Sequence, residues 1–464
     1  MKVERNRQLA KDIVIYGIGN LGNKYLLFIL FLVLTFFMER DELGYYDISL
    51  EAILFLLPII TLQMRESTFR LLIDANDDSY RKHILSTTFC VEGIIFALVL
   101  VVALVLPFFF TIRYFHLIIL SIYAYSLYEI YSQSVRAVYS STIFVIISFL
   151  NAFFTVTIVL LFFFVFKRDI IESLFIGNIV SRIFAILIIE IPRRGVVRNL
   201  SVRFFKKEYL KDIFNYSIPL MWTALAFNVI TSPGKFFVNH FLGTEANGIL
   251  APAQKYMSIL FMLGFSFHQA WQVSAVKNFE KKDSDKFFSE VFNKYAVLLC
   301  LFVACISFGL RSFKSILIGP DFYQSIDLIY IYCISAVFYC MALFFETTYQ
   351  CTKQTSKLLY SIVSCAILSV PLSFILTKYF GLAGMIIALT ISYIYLFIFR
   401  LFQTKSTLPI CLNKDFFLSI TLLAVGGVLF YSTNNRIVDY TVLAIATLTL
   451  LIYFLNIRTH ISKQ

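Results

Sequence analysis

Four basic side chains lie inside long apolar runs of this 464-residue chain: Lys24, Arg182, Lys235 and Lys255. A Lys or Arg at mid-membrane costs about 2.5–3.5 kcal/mol on insertion scales, so it is kept where it faces a cavity, a counter-ion or an anionic ligand. Lys24 stands about eleven residues into its run, or ~16 Å deep in a helix. Arg182 is similarly central, whereas Lys235 and Lys255 are near enough to the ends of their runs for the ammonium to reach the surface. Spacing links these residues to other polar groups. Gly17, Asn20 and Lys24 recur at helical intervals, as do Asn228, Ser232, Lys235 and Asn239, and so do Lys255, Ser258, Met262, Ser266 and Gln269. Three polar stripes on otherwise apolar helices suit a wet, cationic lumen that would hold an anionic group. The plainer alternative is a network of ion pairs in the interior of a helix bundle.

The acids that would complete such a network are fewer. Glu92, Glu129, Glu190 and Glu346 fall within or at the edges of the apolar runs, with Asp47 and Glu51 near the start of the second. They could neutralise the lysines or take up H+ or Na+ for coupling, and no acidic stripe decides between the two. The eight cysteines are scattered without a C-x-x-C, and the five histidines share no ligand spacing. No metal, disulfide or cofactor is therefore expected. Gly17-Ile18-Gly19-Asn20-Leu21-Gly22 satisfies G-x-G-x-x-G. A dinucleotide site needs a strand before that motif, and here it opens an apolar helix, where small residues serve close helix approach. With no nucleotide site in view, the chain is not itself an ATP-driven pump.

The elements that position these residues are membrane helices. Hydrophobic residues make up 59% of the chain, only 15% are charged, and the mean hydropathy is +0.81. The apolar residues form runs of about 20, the length that spans a hydrocarbon core. In lipid each backbone N–H must bond within its own segment, so such runs are helices. The expected class is all-α integral membrane, with about fourteen spans starting near residues 13, 43, 84, 115, 142, 170, 212, 248, 292, 326, 358, 381, 413 and 438. The first run, Ile13–Phe37, is too long for a signal-peptide core and reads as a retained span.

Alternate connections carry about 28 of the 40 Lys and Arg residues, against about eight on the other side. That bias puts both termini in the cytoplasm. It also accounts for the +12 net charge as loop charge facing anionic headgroups, which argues against nucleic acid as a partner.

The basic connection 192–211 separates spans 1–6 from spans 7–12, and across it the pattern restarts. Tyr16 and Tyr216 open Gly- and Asn-bearing spans that end in Glu39-Arg40-Asp41-Glu42-Leu43-Gly44-Tyr45-Tyr46 and Phe241-Leu242-Gly243-Thr244-Glu245-Ala246-Asn247-Gly248-Ile249. The expected organisation is a six-helix half at residues 1–195, a second at 196–405, and two further helices at 406–464. Spans 1 and 7 are both interrupted, by Gly17, Gly19 and Gly22 in one and by Pro219 and Pro233-Gly234 in the other. Broken helices at corresponding positions of a repeat point to a transport site.

The stretch Glu208-Tyr209-Leu210-Lys211-Asp212-Ile213-Phe214-Asn215-Tyr216-Ser217-Ile218-Pro219-Leu220 resembles the opening of the second half of Wzx-type polysaccharide flippases. The resemblance continues through Lys235–Gly243, Gly248–Tyr256 and Phe267–Trp271, and at the N-terminus through Asn20–Lys24 and Leu43–Tyr46. These flippases belong to the superfamily that holds multidrug-and-toxin extruders and lipid II flippases. The resemblance implies a MATE-like fold. It also implies movement of an undecaprenyl-pyrophosphate-linked oligosaccharide from the cytoplasmic to the periplasmic leaflet of a bacterial inner membrane by alternating access.

On that reading the basic residues meet the pyrophosphate, and the last two helices receive the lipid tail. The partners are membrane lipids, the lipid-linked oligosaccharide, and the glycosyltransferases and polymerase of its pathway. One departure is Gly234, which stands before Lys235 where many members carry an acid. A cation-coupled multidrug exporter would want an acidic cavity instead. A membrane glycan polymerase or ligase, an enzyme, would want a large external loop, and the connections here are short.

Overall fold

The computed structural model describes residues 22–73, 77–193, 196, 200–279, 283–352, 354–433 and 435–461, and among them there are helices, turns and no strand. Among the described residues, ten helical segments are long and apolar enough to cross a membrane. The longest, Ser356–Thr404, is two helices meeting at Gly381, whose φ of +60° and ψ of −139° lie outside the helical region. Counting it twice, and adding the short apolar helix Gly22–Leu34 and the long helices Phe115–Val138 and Thr244–Asn278, gives the fourteen spans expected.

By contact, the described chain falls into two compact units. Unit 1 is the chain up to Phe31 together with Ser49–Asn228; unit 2 is Leu32–Ile48 with the chain from Val229 onward. The sequence halves and the contact units thus differ in two ways. The contact boundary falls inside a helix of the seventh span, and the connection between the first two spans belongs to unit 2.

Unit 1 contains α1 (Gly22–Leu34, in its first ten residues), most of α2 (Arg40–Thr61), α3 (Met64–Ile73), α4 (Asp78–Val105), α5 (Phe115–Val138), α6 (Ser141–Leu160), α7 (Ile170–Arg193) and all but the end of α8 (Lys207–Thr231). Short polar side chains start several of these helices by accepting backbone N–H bonds left open at a helix N-terminus. Asp77 accepts from Ser79, Ser140 from Ile143, and Asp169 from Ile171 and Glu172. α2 ends where Leu62 and Gln63 take φ of +47° and +52°, a conformation that costs an L residue about 1–2 kcal/mol. The core joins Leu72 of α3, Ile84 and Leu85 of α4, Tyr131 and Val135 of α5, Ile147 of α6 and Ile189 of α7. Only 11% of the most apolar window of the span containing α4 is buried, so this helix turns most of its surface to lipid.

Unit 2 contains α9 (Pro233–Leu242), α10 (Thr244–Asn278), α11 (Ser284–Ser312), α12 (Ile326–Phe344), the kinked α13 (Thr355–Thr404), α14 (Lys414–Ser432) and α15 (Arg436–Ile461). α12 is its axis: 78% of the most apolar window of the span that contains it is buried, and it packs on α10, α11, α13 and α14. Phe267, Trp271, Tyr295, Phe292, Phe344 and Phe397 form a continuous aromatic stack through this core. The Trp271 indole N–H is satisfied by Thr347 Oγ1 at 3.1 Å.

The segment of residues 32–48, the end of α1, the turn after it and the start of α2, is fitted into unit 2 through glycines. A Cβ on Gly44 would lie 1.8 Å from the Thr244 carbonyl oxygen, one on Gly248 1.9 Å from that of Arg40, and one on Gly319 1.8 Å from that of Thr35. Gly44 near the start of α2 and Gly248 near the start of α10 let the two helices touch backbone to backbone. The Gly319 N–H donates to Thr35 Oγ1 at 3.0 Å, and Arg40 Nε donates to the Asp321 carbonyl at 2.6 Å.

Candidate functional site

The polar residues singled out from the sequence divide between the two units. In unit 1, Lys24 is an exposed side chain on α1. Asn20 lies outside the described residues. Arg182 is buried on α7 with its guanidinium 3.9 Å over the Tyr125 ring, and it donates to the Asn178 carbonyl. Its Nε is buried without a hydrogen-bond partner among the described residues. Tyr125 and Arg182 form a cation–π pair that holds the ring in place.

Asn228, on α8, donates to the Leu54 carbonyl at 3.2 Å. Glu129 of α5 is paired with Arg65 of α3. Glu92 is 1% exposed on α4; its Oε1 accepts from Ser126, and its Oε2 is buried without a partner among the described residues. Glu190 accepts from Tyr131 at 2.9 Å and from the Val196 N–H, which makes it a bolt of the unit 1 core. Glu51 is half-buried on α2.

Several of these groups converge on a cavity of about 370 Å³ inside unit 1. It is walled by the end of α2, the turn into α3, the middle of α5 and α8, and its polar lining comes from Thr61, Gln63, Arg65, Glu129 and Asn228. The sequence reading missed Arg65, which it counted among loop charges. The available signal was Pro58 followed by the dense polar run Thr61–Glu66, where an apolar helix cannot continue unbroken.

In unit 2, Lys235 of α9 is 2% exposed and its Nζ is 2.7 Å from Asp47 Oδ2. Asn247 braces the pair by donating to the Lys235 carbonyl at 3.2 Å and toward Asn239 Oδ1 at 3.5 Å. Ser232 is buried at the α8–α9 junction, where its carbonyl accepts the Lys235 N–H. Lys255 is half-buried on α10 and Gln269 is exposed on the same helix.

Glu346 lies 3.6 Å from Arg400, a buried arginine that also donates to the Ala342 carbonyl and Ser361 Oγ. Arg311 of α11 binds Asp439 of α15 in bidentate fashion through one guanidinium edge, Nε to Oδ2 at 2.9 Å and Nη2 to Oδ1, while Nη1 donates to the Phe430 carbonyl. The sequence reading did not single out Arg311 or Arg400, because both stand near the ends of their apolar runs.

Unit 2 also carries a cavity of about 490 Å³ between α11, α12, α14 and α15. Its walls are almost wholly apolar, including Val297, Leu301, Leu422, Val425 and Ile445. Lys294, Asp415 and Tyr453 mark one end, where the Tyr453 hydroxyl donates to the Lys294 carbonyl at 3.2 Å. Gly426 and Gly427 thin α14 at this point: a Cβ on Gly426 would lie 2.5 Å from the Tyr330 hydroxyl oxygen.

This arrangement of helices is shared with solved membrane transporters of the multidrug and lipid-flippase type. A solved structure of the lipid II flippase MurJ in an inward closed conformation superposes with a TM-score of 0.78, covering 97% of this chain and 99% of that one at 16% identity. An inward-facing multidrug resistance MATE transporter of the MOP superfamily gives 0.62 over 84% of this chain and 94% of its own, at 11% identity. A MOP superfamily transporter from Pyrococcus furiosus gives 0.55 over 86% and 96%, at 12% identity. At these identities the likeness is one of fold. Residues 9–272, more than half the chain, match the polysaccharide biosynthesis protein family, and the chain belongs to that family. No curated protein matches it.

Proposed function

We propose that this protein translocates an undecaprenyl-pyrophosphate-linked oligosaccharide from the cytoplasmic to the periplasmic leaflet of a bacterial inner membrane, by alternating access and with both termini in the cytoplasm. The carrying observation is the apolar groove of α11, α12, α14 and α15 with a lysine at one end. A prenyl chain needs a long apolar surface, which this groove supplies, and Lys294 beside Asp415 gives it one polar end. Family membership and the MurJ-like fold support the same reading.

The basic residues then divide their work. Lys24, Arg182 and Lys255 meet the pyrophosphate along its path, with Asn20, Asn228, Ser232, Asn239 and Gln269 as neutral polar neighbours. Lys235 becomes available only when its contact with Asp47 opens. Of the acids Glu51, Glu92, Glu129 and Glu346, Glu92 is the one suited to carry a coupling proton, since it is buried and has one open oxygen. Glycosyltransferases that build the lipid-linked unit and a polymerase that consumes it would be the pathway partners.

The test is a leaflet assay in proteoliposomes with undecaprenyl-pyrophosphate-linked oligosaccharide. Wild type should move the lipid well above empty vesicles. Substituting Leu for Val425 and Ile445 keeps the groove filled and should preserve transfer, whereas Val425→Lys should abolish it. Transfer no faster than in empty vesicles would overturn the reading.

A further inference from the structure

The unit 1 cavity has the wrong charge for a pyrophosphate and the right groups for something else. Its guanidinium, Arg65, is already held by Glu129, by Glu66 at 3.4 Å and by Gln63 Oε1 at 3.1 Å. Two carboxylates against one guanidinium leave no net positive charge to offer an anion. The cavity is also unsuited to an apolar guest, since burying one against Arg65 and Glu129 would strip water from both charges.

What remains is a set of fixed, planar polar groups beside aromatic surface. Glu129 offers acceptors, while Asn228 and Gln63 carry both donors and acceptors. Tyr125 and Phe227 supply ring faces and edges. That combination answers a sugar ring, whose adjacent hydroxyls each donate and accept and whose C–H face is apolar.

The groups are also held in place before any ligand arrives. Arg182 stacks on Tyr125, Asn228 is tied to the Leu54 carbonyl, and the left-handed backbone of Leu62 and Gln63 turns the Gln63 side chain toward Arg65. Backbone strain of this sort is retained where the surrounding structure uses it. A volume of about 370 Å³ is in the range of small-molecule sites.

We infer that this cavity is a carbohydrate subsite that binds one neutral ring of the transported glycan. The inference rests on the proposed function for the origin of the ligand, and it adds that the glycan is read by unit 1 through Gln63, Arg65, Glu129 and Asn228.

The experiment measures binding to the full-length protein in nanodiscs. The probes are undecaprenyl pyrophosphate without sugar and the same lipid carrying glucose, galactose, N-acetylglucosamine or N-acetylgalactosamine. Wild type should bind at least one glycosylated lipid about tenfold more tightly than the bare lipid, the effect of one or two hydrogen bonds. Asn228→Ala and Phe227→Leu should reduce that ratio to within about threefold, with unchanged melting temperature showing that the fold is intact. Equal binding of the bare and all four glycosylated lipids by wild type would overturn the subsite. So would a ratio unmoved in both variants. Either result leaves the flippase reading standing if wild type still moves lipid-linked oligosaccharide. Failure of wild type in that leaflet assay would remove the flippase reading itself.

Discussion

In unit 1 the side chain of Arg65 is 33% exposed and shared among Glu129, Glu66 and Gln63 at the wall of a cavity. In unit 2, by contrast, Lys235 and Arg311 are each closed against a single buried carboxylate, Asp47 and Asp439. The energetics of the two arrangements differ in kind. A buried pair has already lost its water, so removing one partner strands the other charge. A half-open cluster keeps part of its hydration, and a ligand can replace a partner there at modest cost. The Lys235–Asp47 and Arg311–Asp439 pairs therefore hold helices together, whereas the charge at the unit 1 cavity is open to a ligand.

The largest effect that would test this contrast is at Arg311. Arg311→Leu should cost about 3–5 kcal/mol, because Asp439 is left charged and buried, and the double variant Arg311→Leu/Asp439→Leu should recover most of it. Thermal melting in detergent reads both. Lys235→Met should follow the same pattern with a somewhat smaller loss, since the Asp47 side chain retains 10% exposure, and Asp47→Leu should rescue it. The smallest effect is expected in unit 1, where Glu129→Gln should change stability by less than about 1 kcal/mol. A Glu129→Gln loss as large as that of Arg311→Leu would erase the distinction between the units.

Much of the fold could be read from hydropathy, because the lipid core imposes one element and one length on every span. The span starts expected near residues 43, 115, 142, 170 and 413 lie close to helices starting at Arg40, Phe115, Ser141, Ile170 and Lys414. The pairing of charges was less legible. Asp47 and Lys235 are 188 residues apart, and Arg311 and Asp439 are 128 apart, so no local spacing joins them. Helical periodicity places a polar residue on a face but does not say which other helix that face meets. Gly44 and Gly248 were visible as a repeat; that both exist to bring two backbones into contact became clear only from the distances.

The segment of residues 32–48 also sets an order of events during synthesis. It leaves the ribosome well before its partners Lys235, Asp321 and Gly319, which are encoded 188 to 284 residues later. At about 5–20 residues per second, it waits roughly 10–60 s for them. Throughout that interval Arg40, Asp41 and Asp47 stand without their native contacts. The newborn chain thus passes through a stage in which the first two spans are inserted but unanchored, and quality-control proteases would have their best access to it then.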